Sequence, residues 1–308
     1  MPRGTPDPEI NVPIYQPDKA FSGTTILADN HNPERPRIIE VNMMGEILWQ
    51  YLVPQGLRQF TNPGFDIEPL ASSNVLFVLP RAGVYEVNRK GEVVWSYLTD
   101  KISHDADRLP NGNTMLVFGA DDQVSDAQVK EVNSQRQIIW SWYARDHFYK
   151  PPFSKIYDQG WTHTNAASRL PSGNTLISMR NFNFIAEVDA KGAAVGTIGE
   201  ELLHYQHDPE VLPNDNILVV DHSEPHRLVE IDTKTGQLIW EFKVPRQLVR
   251  DTNRLPNGNI LITGGTIIIE ITPQSEVVWR LELKDLVLEK REAAGRGFYK
   301  AERIAIPS

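Results

Sequence analysis

The chain has no cysteine among its 308 residues. That excludes a disulfide framework, a thiolate metal site and a cysteine nucleophile. It also lacks any apolar run near the roughly eighteen residues a membrane helix needs, so no transmembrane helix is expected. The opening "MPRGTPDPEINVPIYQPDK" contains no apolar h-region. No signal peptide is therefore expected, and the compartment stays open. Positive charge is in deficit: 31 Lys and Arg against 40 Asp and Glu set the net charge at −9. That balance argues against nucleic acid or an anionic membrane as the main partner. Helical periodicity is missing too, because no long segment repeats its apolar residues every 3.6 positions.

What is present is a repeat. A short apolar run ending in Glu and then Val or Ile occurs six times: "IIEVN" (38–42), "VYEVN" (84–88), "VKEVN" (129–133), "IAEVD" (185–189), "LVEID" (228–232) and "IIEIT" (268–272). A polar turn and a second apolar run follow each. Trp49, Trp95, Trp140, Trp240 and Trp279 fill one equivalent position in those second runs, and Gly196 takes it in the fourth copy. Each pair reads as a β-hairpin of β-branched and aromatic residues split by turn formers. A further hairpin precedes five of them, turning at "LASSN" (70–74), "LPNGN" (109–113), "LPSGN" (170–174), "LPNDN" (212–216) or "LPNGN" (255–259). Four strands recurring at about forty residues is the signature of a β-propeller blade.

The first copy opens near "TTILADN" (24–30) without its first strand. The C-terminal "AERIAIPS" aligns with "ADRLPNGN" and can supply it, placing Ile304 where Leu109 sits. The expectation is all-β: a six-bladed β-propeller with four-stranded blades over 24–308, after a lead-in at 1–23. The ring closes when a C-terminal strand at about 298–306 pairs into blade one. Closure removes the sheet edges that invite aggregation. Tryptophans and glutamates shared by the blades are expected to pack and bond blade to blade.

Chemistry is sought where one blade departs from the others. Four residues before the turn leucine stand Asp66, Asp105, Asp208 and Asp251, with Ala166 as the exception, so this aspartate reads as scaffold. One position earlier the residues vary: Phe65, His104, Asn165, His207, Arg250 and, in the tail, Tyr299. Innermost strands start at the central channel, so these six are expected to ring one channel mouth. The second strands return to that face at Pro80, Gly119, Arg180, His222 and Gly265. His163 lies two residues before Asn165, on the same side of its strand. Histidines and arginines converging with no inward carboxylate describe an anion site. An inserted stretch, "YARDHFYKPPFSKIYDQGW" (143–161), either walls an aromatic pocket there or covers a blade junction.

"WTHTNAASRLPSGNTLISMRNFNFIAEVD" (161–189) and "QHDPEVLPNDNILVVDH" (206–222) resemble the arylsulfotransferase family, and "HDADRLPNGN" matches as well. The resemblance implies a sulfotransferase that works without the nucleotide sulfate donor. His207 would take a sulfuryl group from an aryl sulfate as nucleophile, release a phenol, and pass the group to a phenolic acceptor by ping-pong. His104, His163, Asn165 and Arg180 fall on its sulfate-binding and acid–base positions, with His104 or His163 protonating the leaving phenolate. His222, Arg250, Tyr299, Phe65 and Asn165 are the expected substrate-binding set. No cofactor and no metal are expected. After the nucleophile strand the family pattern runs roughly Asp-Asn-Gly, whereas this chain has "DHS" (221–223). Three other readings stay open. One is a non-catalytic propeller that binds an anion or a partner. Another is a quinone-type propeller, suggested by "IDTKTGQLIWEF" (231–242). The last is a zinc site on His104, His163 and His207.

Overall fold

A computed structural model describes residues 3–244, 248–284 and 295–305. Its strands form six antiparallel sheets, one per repeat. Alternation of β-branched and aromatic residues drives each hairpin, and Gly or a left-handed non-glycine closes each turn. Reading outward from the channel, blade two is Ile67–Pro69, Val75–Leu79, Gly83–Val87 and Val93–Leu98. Blades three to five follow the same order, starting at Ala106–Arg108, Thr164–Arg169 and His207–Val211. Blade six starts at Val249–Arg254. The first strands of successive blades contact one another around the ring, which makes them the channel wall.

Blade one is completed by the chain's other end. Phe298–Ala305 pairs antiparallel with Gly23–Asp29, with Ile304 opposite Thr24 and Ala301 opposite Leu27. The expected closure is therefore present; position 306 lies outside the described residues. The sequence reading missed a strand at Ile10–Tyr15. It pairs with the outer strand of blade six, Val277–Leu283, as a fifth member. Among the described residues no helix is long and apolar enough to cross a membrane.

Blades pack through apolar faces whose clusters each span two neighbouring sheets. Polar latches add direction. The turn asparagines Asn74, Asn113, Asn174, Asn216 and Asn259 donate to the repeat glutamates of their own blades at 2.6–2.7 Å. An arginine from the next blade's inner strand reaches the same glutamate: Arg108 to Glu86 (2.9 Å), Arg169 to Glu131 (3.1 Å), Arg254 to Glu230 (3.1 Å). Such arginines also lie over the tryptophan beside that glutamate, as Arg108 does over Trp95 at 4.8 Å and as Arg303, paired with Glu270, does over Trp279 at 4.6 Å. The tryptophan N–H then bonds to a turn of the following blade, as from Trp49 to Arg89 and from Trp279 to Met43. In blade three that bond comes from Trp142, while Trp140 lies under Arg169. Blade four has Gly196 in place of the tryptophan, and the matching arginine position in blade five is Val211. Both halves of the latch are missing together.

Candidate active site

The six variable positions do converge on one channel mouth, but not all of them face it. His104, His207, Arg250 and Tyr299 line a cavity of about 290 Å³, joined there by His163, Arg180 and His222. Phe65 does not. It is 1% exposed and packs into the core between blades one and two, with Tyr51, Ile67 and Phe77. An aromatic ring gains more there than at a wet channel lip. Its blade offers Phe60 and Pro63 to the cavity instead, from the loop before the inner strand. Asn165 lies deeper, lining a 20 Å³ chamber behind the cavity, and its amide donates to the carbonyl of Gln206 at 2.7 Å.

The 143–161 insertion does not wall the pocket with aromatics. Phe148, Phe153 and Trp161 pack with Phe182 and Phe184 against blades three and four. Only Gln159 of this stretch lines the cavity. The apolar wall comes from Phe60, Pro63, Pro80, Ala120 and Leu248. Gly64 lets the Tyr299 ring lie against the backbone, since a Cβ there would overlap it.

Hydrogen bonds set the protonation pattern of the histidines. A carbonyl oxygen can only accept, so each nitrogen facing one carries the hydrogen. His207 Nδ1 donates to the Tyr205 carbonyl at 2.9 Å, which leaves Nε2 with its lone pair. His163 Nδ1 donates to the Gln159 carbonyl at 2.9 Å, so its Nε2 is an acceptor. His104 Nε2 stands 3.0 Å from that atom and must donate to it. His104 Nδ1 then accepts from the Tyr299 hydroxyl at 3.0 Å. Tyr299, His104, His163 and Gln159 form one directed chain. His222 Nε2 donates to the Val249 carbonyl at 2.7 Å, and its ring stacks between His207 (4.2 Å) and His226 (4.4 Å).

The rings are held neutral. Burial, then His163, Arg180 and Arg250, push His104 well below the usual imidazole range. Burial and Arg180 take His163 down to about 4. Burial, His222 and His104 hold His207 well below its ordinary value, and burial with His226 takes His222 to about 3. Burial pushes the Tyr299 phenol up to about 12. His207 therefore presents a neutral imidazole with a free Nε2 at neutral pH.

Arg180 is a mostly buried cation of the cavity lining. Its Nη2 pairs with Asp158 at 3.2 Å, its plane lies 4.3 Å over Tyr205, and its Nη1 is buried with no hydrogen-bond partner. A buried guanidinium nitrogen without an acceptor is a donor that a ligand oxygen could satisfy. Tyr205 serves twice, fixing the tautomer of His207 and carrying Arg180. Tyr205, His163 and Asp208 have φ of 49°, 46° and 47°. Non-glycine residues in this left-handed region concentrate at functional sites.

The expectation of a mouth without inward carboxylates needs correction. Asp121 stands at the rim, paired to Arg81. One layer below the histidines, Asp66, Asp105, Asp208 and Asp251 line the small chamber with Lys300. Two of these do the scaffold work expected of them, binding backbone N–H groups of the next blade: Asp105 with Ala167 at 2.8 Å and Asp251 with Ala301 at 3.2 Å. Inner strands of neighbouring blades share no ladder, and these carboxylates bond across the gap instead. Among the described residues no group of three or more His, Asp and Glu is placed to hold a metal ion.

The molecule is thus a six-bladed propeller with a cavity lined by histidines and arginines at one end of its channel. The arylsulfotransferase (ASST) family model matches residues 12–201, more than half of the chain, and the chain belongs to that family. The matched span holds His104, His163, Asn165 and Arg180 and stops short of His207, His222, Arg250 and Tyr299. No curated protein matches it by sequence. Solved structures similar to it include a protein of unknown function from Bacteroides caccae, with TM-score 0.64 and 16% identity over 85% of this chain and 94% of that one. A streptogramin B lyase gives TM-score 0.57 and 12% identity over 92% and 90%. The virginiamycin B lyase from Staphylococcus aureus with quinupristin gives 0.55 and 13% over 87% of each. At these identities the likeness is one of fold alone.

Proposed function

We propose that the protein transfers a sulfuryl group from an aryl sulfate to a phenol through a sulfohistidine on His207. The observation that carries this reading is the locked tautomer of His207 in a cavity that also holds the unpartnered Nη1 of Arg180. In the first half-reaction Nε2 of His207 attacks sulfur, the S–O bond to the aryl oxygen breaks, and the phenolate leaves with that electron pair. In the second, the oxygen of an acceptor phenol attacks the sulfur, the N–S bond breaks and the imidazole lone pair returns. Splitting the transfer this way replaces one hard step by two easier ones. Charge spreads over the sulfuryl oxygens, and prearranged donors stabilise it: Arg180, with Arg250 deeper in the cavity.

The proton comes from the Tyr299–His104–His163 chain. Both rings are neutral in the free site, so each begins as a base. A bound sulfate ester puts negative charge beside them and favours their protonated form. The pair thereby takes up a proton on binding, gives it to the leaving phenolate, and regains one from the acceptor phenol. The added proton sits where one bond of this chain opens, on His163 Nε2 or on His104 Nδ1, and either ring can then deliver it. His163 holds its own hydrogen on Gln159.

The cavity suits a ligand with one aromatic ring against Phe60, Pro63 and Leu248 and its sulfate toward Arg180. The test is transfer from p-nitrophenyl sulfate to an added phenol, wild type against His207→Ala. Loss of transfer at an unchanged melting temperature is expected. Wild-type transfer by the variant refutes the nucleophile, and no transfer by folded wild type over a broad donor panel refutes the reaction.

A further inference from the structure

Lys300 follows Tyr299 on the inner strand of blade one, and nothing in the proposed chemistry uses it. It occupies the register at which the other inner strands carry Asp66, Asp105, Asp208 and Asp251, with Ala166 in blade four. Its Nζ lies 2.8 Å from Asp208, 3.6 Å from Asp251 and 3.7 Å from Asp66. Its side chain is 14% exposed. The chamber beneath the cavity is walled on one side by His104, Asn165, His207 and Tyr299, and on the other by Lys300 and its aspartates. At 20 Å³ it has room for about one water.

The arrangement sets four carboxylates directly behind a pocket that must hold an anion. An ionised carboxylate in that position opposes sulfate, and two of the four, Asp105 and Asp251, also accept backbone N–H groups of the next inner strand. We propose that Lys300 is a positioning residue, the internal counter-ion that lets a carboxylate-bonded channel carry an anion site one layer above it. Burial and coulombic balance agree. Burial works against the charge of Lys300, but Asp208, Asp251 and Asp66 outweigh it and keep the amine protonated. Burial likewise opposes the charge of Asp208, and Lys300 holds it ionised. Asp66, Asp105 and Asp251 are pushed well above the usual carboxylate range by burial. The layer therefore holds one tight ion pair among carboxyls that resist ionisation. This inference rests on the anion-site reading but not on turnover.

A charge series with inorganic sulfate as probe, read by titration calorimetry at pH 8, tests it. A unit charge one layer away at an effective dielectric near 20 changes anion affinity by roughly tenfold. Lys300→Met should weaken sulfate binding by up to about that factor, less to the extent that Asp208 takes up a proton once its counter-ion is gone, and Lys300→Arg should restore most of it. Asp208→Asn alone should tighten binding, and Lys300→Met with Asp208→Asn should return it near wild type. The double variant and Asp208→Asn carry the test if Lys300→Met fails to fold. A purely structural lysine would move melting temperatures and leave the sulfate affinities of folded variants equal, which overturns the proposal. Wild type that binds no sulfate overturns it together with the anion site. Wild type that binds sulfate in this order but transfers nothing refutes the transferase reading alone.

Discussion

Replacing Arg180 by Met probes the site where its geometry is most explicit. The guanidinium is already committed at one end: Nη2 pairs with Asp158 and the plane stacks on Tyr205. Nη1 is buried and without a partner, and in the proposed reading it meets a sulfuryl oxygen. One hydrogen bond to a charged group is worth about 1.5–3 kcal/mol. At about 1.4 kcal/mol per factor of ten, that is about 10- to 150-fold. The loss should fall on kcat/KM for aryl sulfate, and more on kcat than on KM if charge on sulfur's oxygens grows in the transition state. Arg180→Lys keeps a charge but not the fork that serves Asp158 and sulfate together, so it should recover only part of the loss. The assay is steady-state transfer from p-nitrophenyl sulfate to phenol, with melting temperature as the control. A well-folded Arg180→Met enzyme with kcat/KM within about twofold of wild type would refute the assignment of Nη1 to the sulfate.

Two other expectations concern protons and closure. Because His163 stands near 4 in the free site and an anion raises it, sulfate binding takes up a proton between that value and the higher one of the complex. Affinity for inorganic sulfate should therefore rise as pH falls from 8 toward that free-site value, and the calorimetric heat should depend on the buffer; an affinity constant over that whole range would contradict the proton chain. Deleting residues 298–308 removes the inner strand of blade one and opens an edge on Gly23–Asp29. The truncated chain should aggregate or lose its cooperative melt, and a melt like that of the full chain would contradict closure.

The blades were legible because a repeat states its own register. Six copies of an apolar-Glu-Val run, each followed by a second apolar run, assign every strand. Aligning them on the turn leucine then separates residues common to all blades from those that change. That separation was enough to bring His104, His207, Arg250 and Tyr299 to one mouth, with His163, Arg180 and His222 beside them. Phe65 shows its limit. Register places a residue at the mouth, but an apolar side chain turns to the nearest core. The N-terminal strand was missed because "INVPIY" carries a proline and has no repeat context. The Arg–Trp–Glu latch did leave a trace, since Gly196 and Val211 depart together in consecutive blades.

Sequence alone determined the blade count, the closure by the tail and the identity of the variable ring, because each follows from periodicity and strand alternation. Tertiary structure alone decided which nitrogen of each histidine bears the hydrogen, that Arg180 keeps a free donor, and that a lysine stands among aspartates behind the site. Those depend on which carbonyl, carboxylate or ring from another blade lies within about 3 Å. Tyr205, Gln159 and Lys300 acquire their roles only when the ring closes and brings distant strands to one channel.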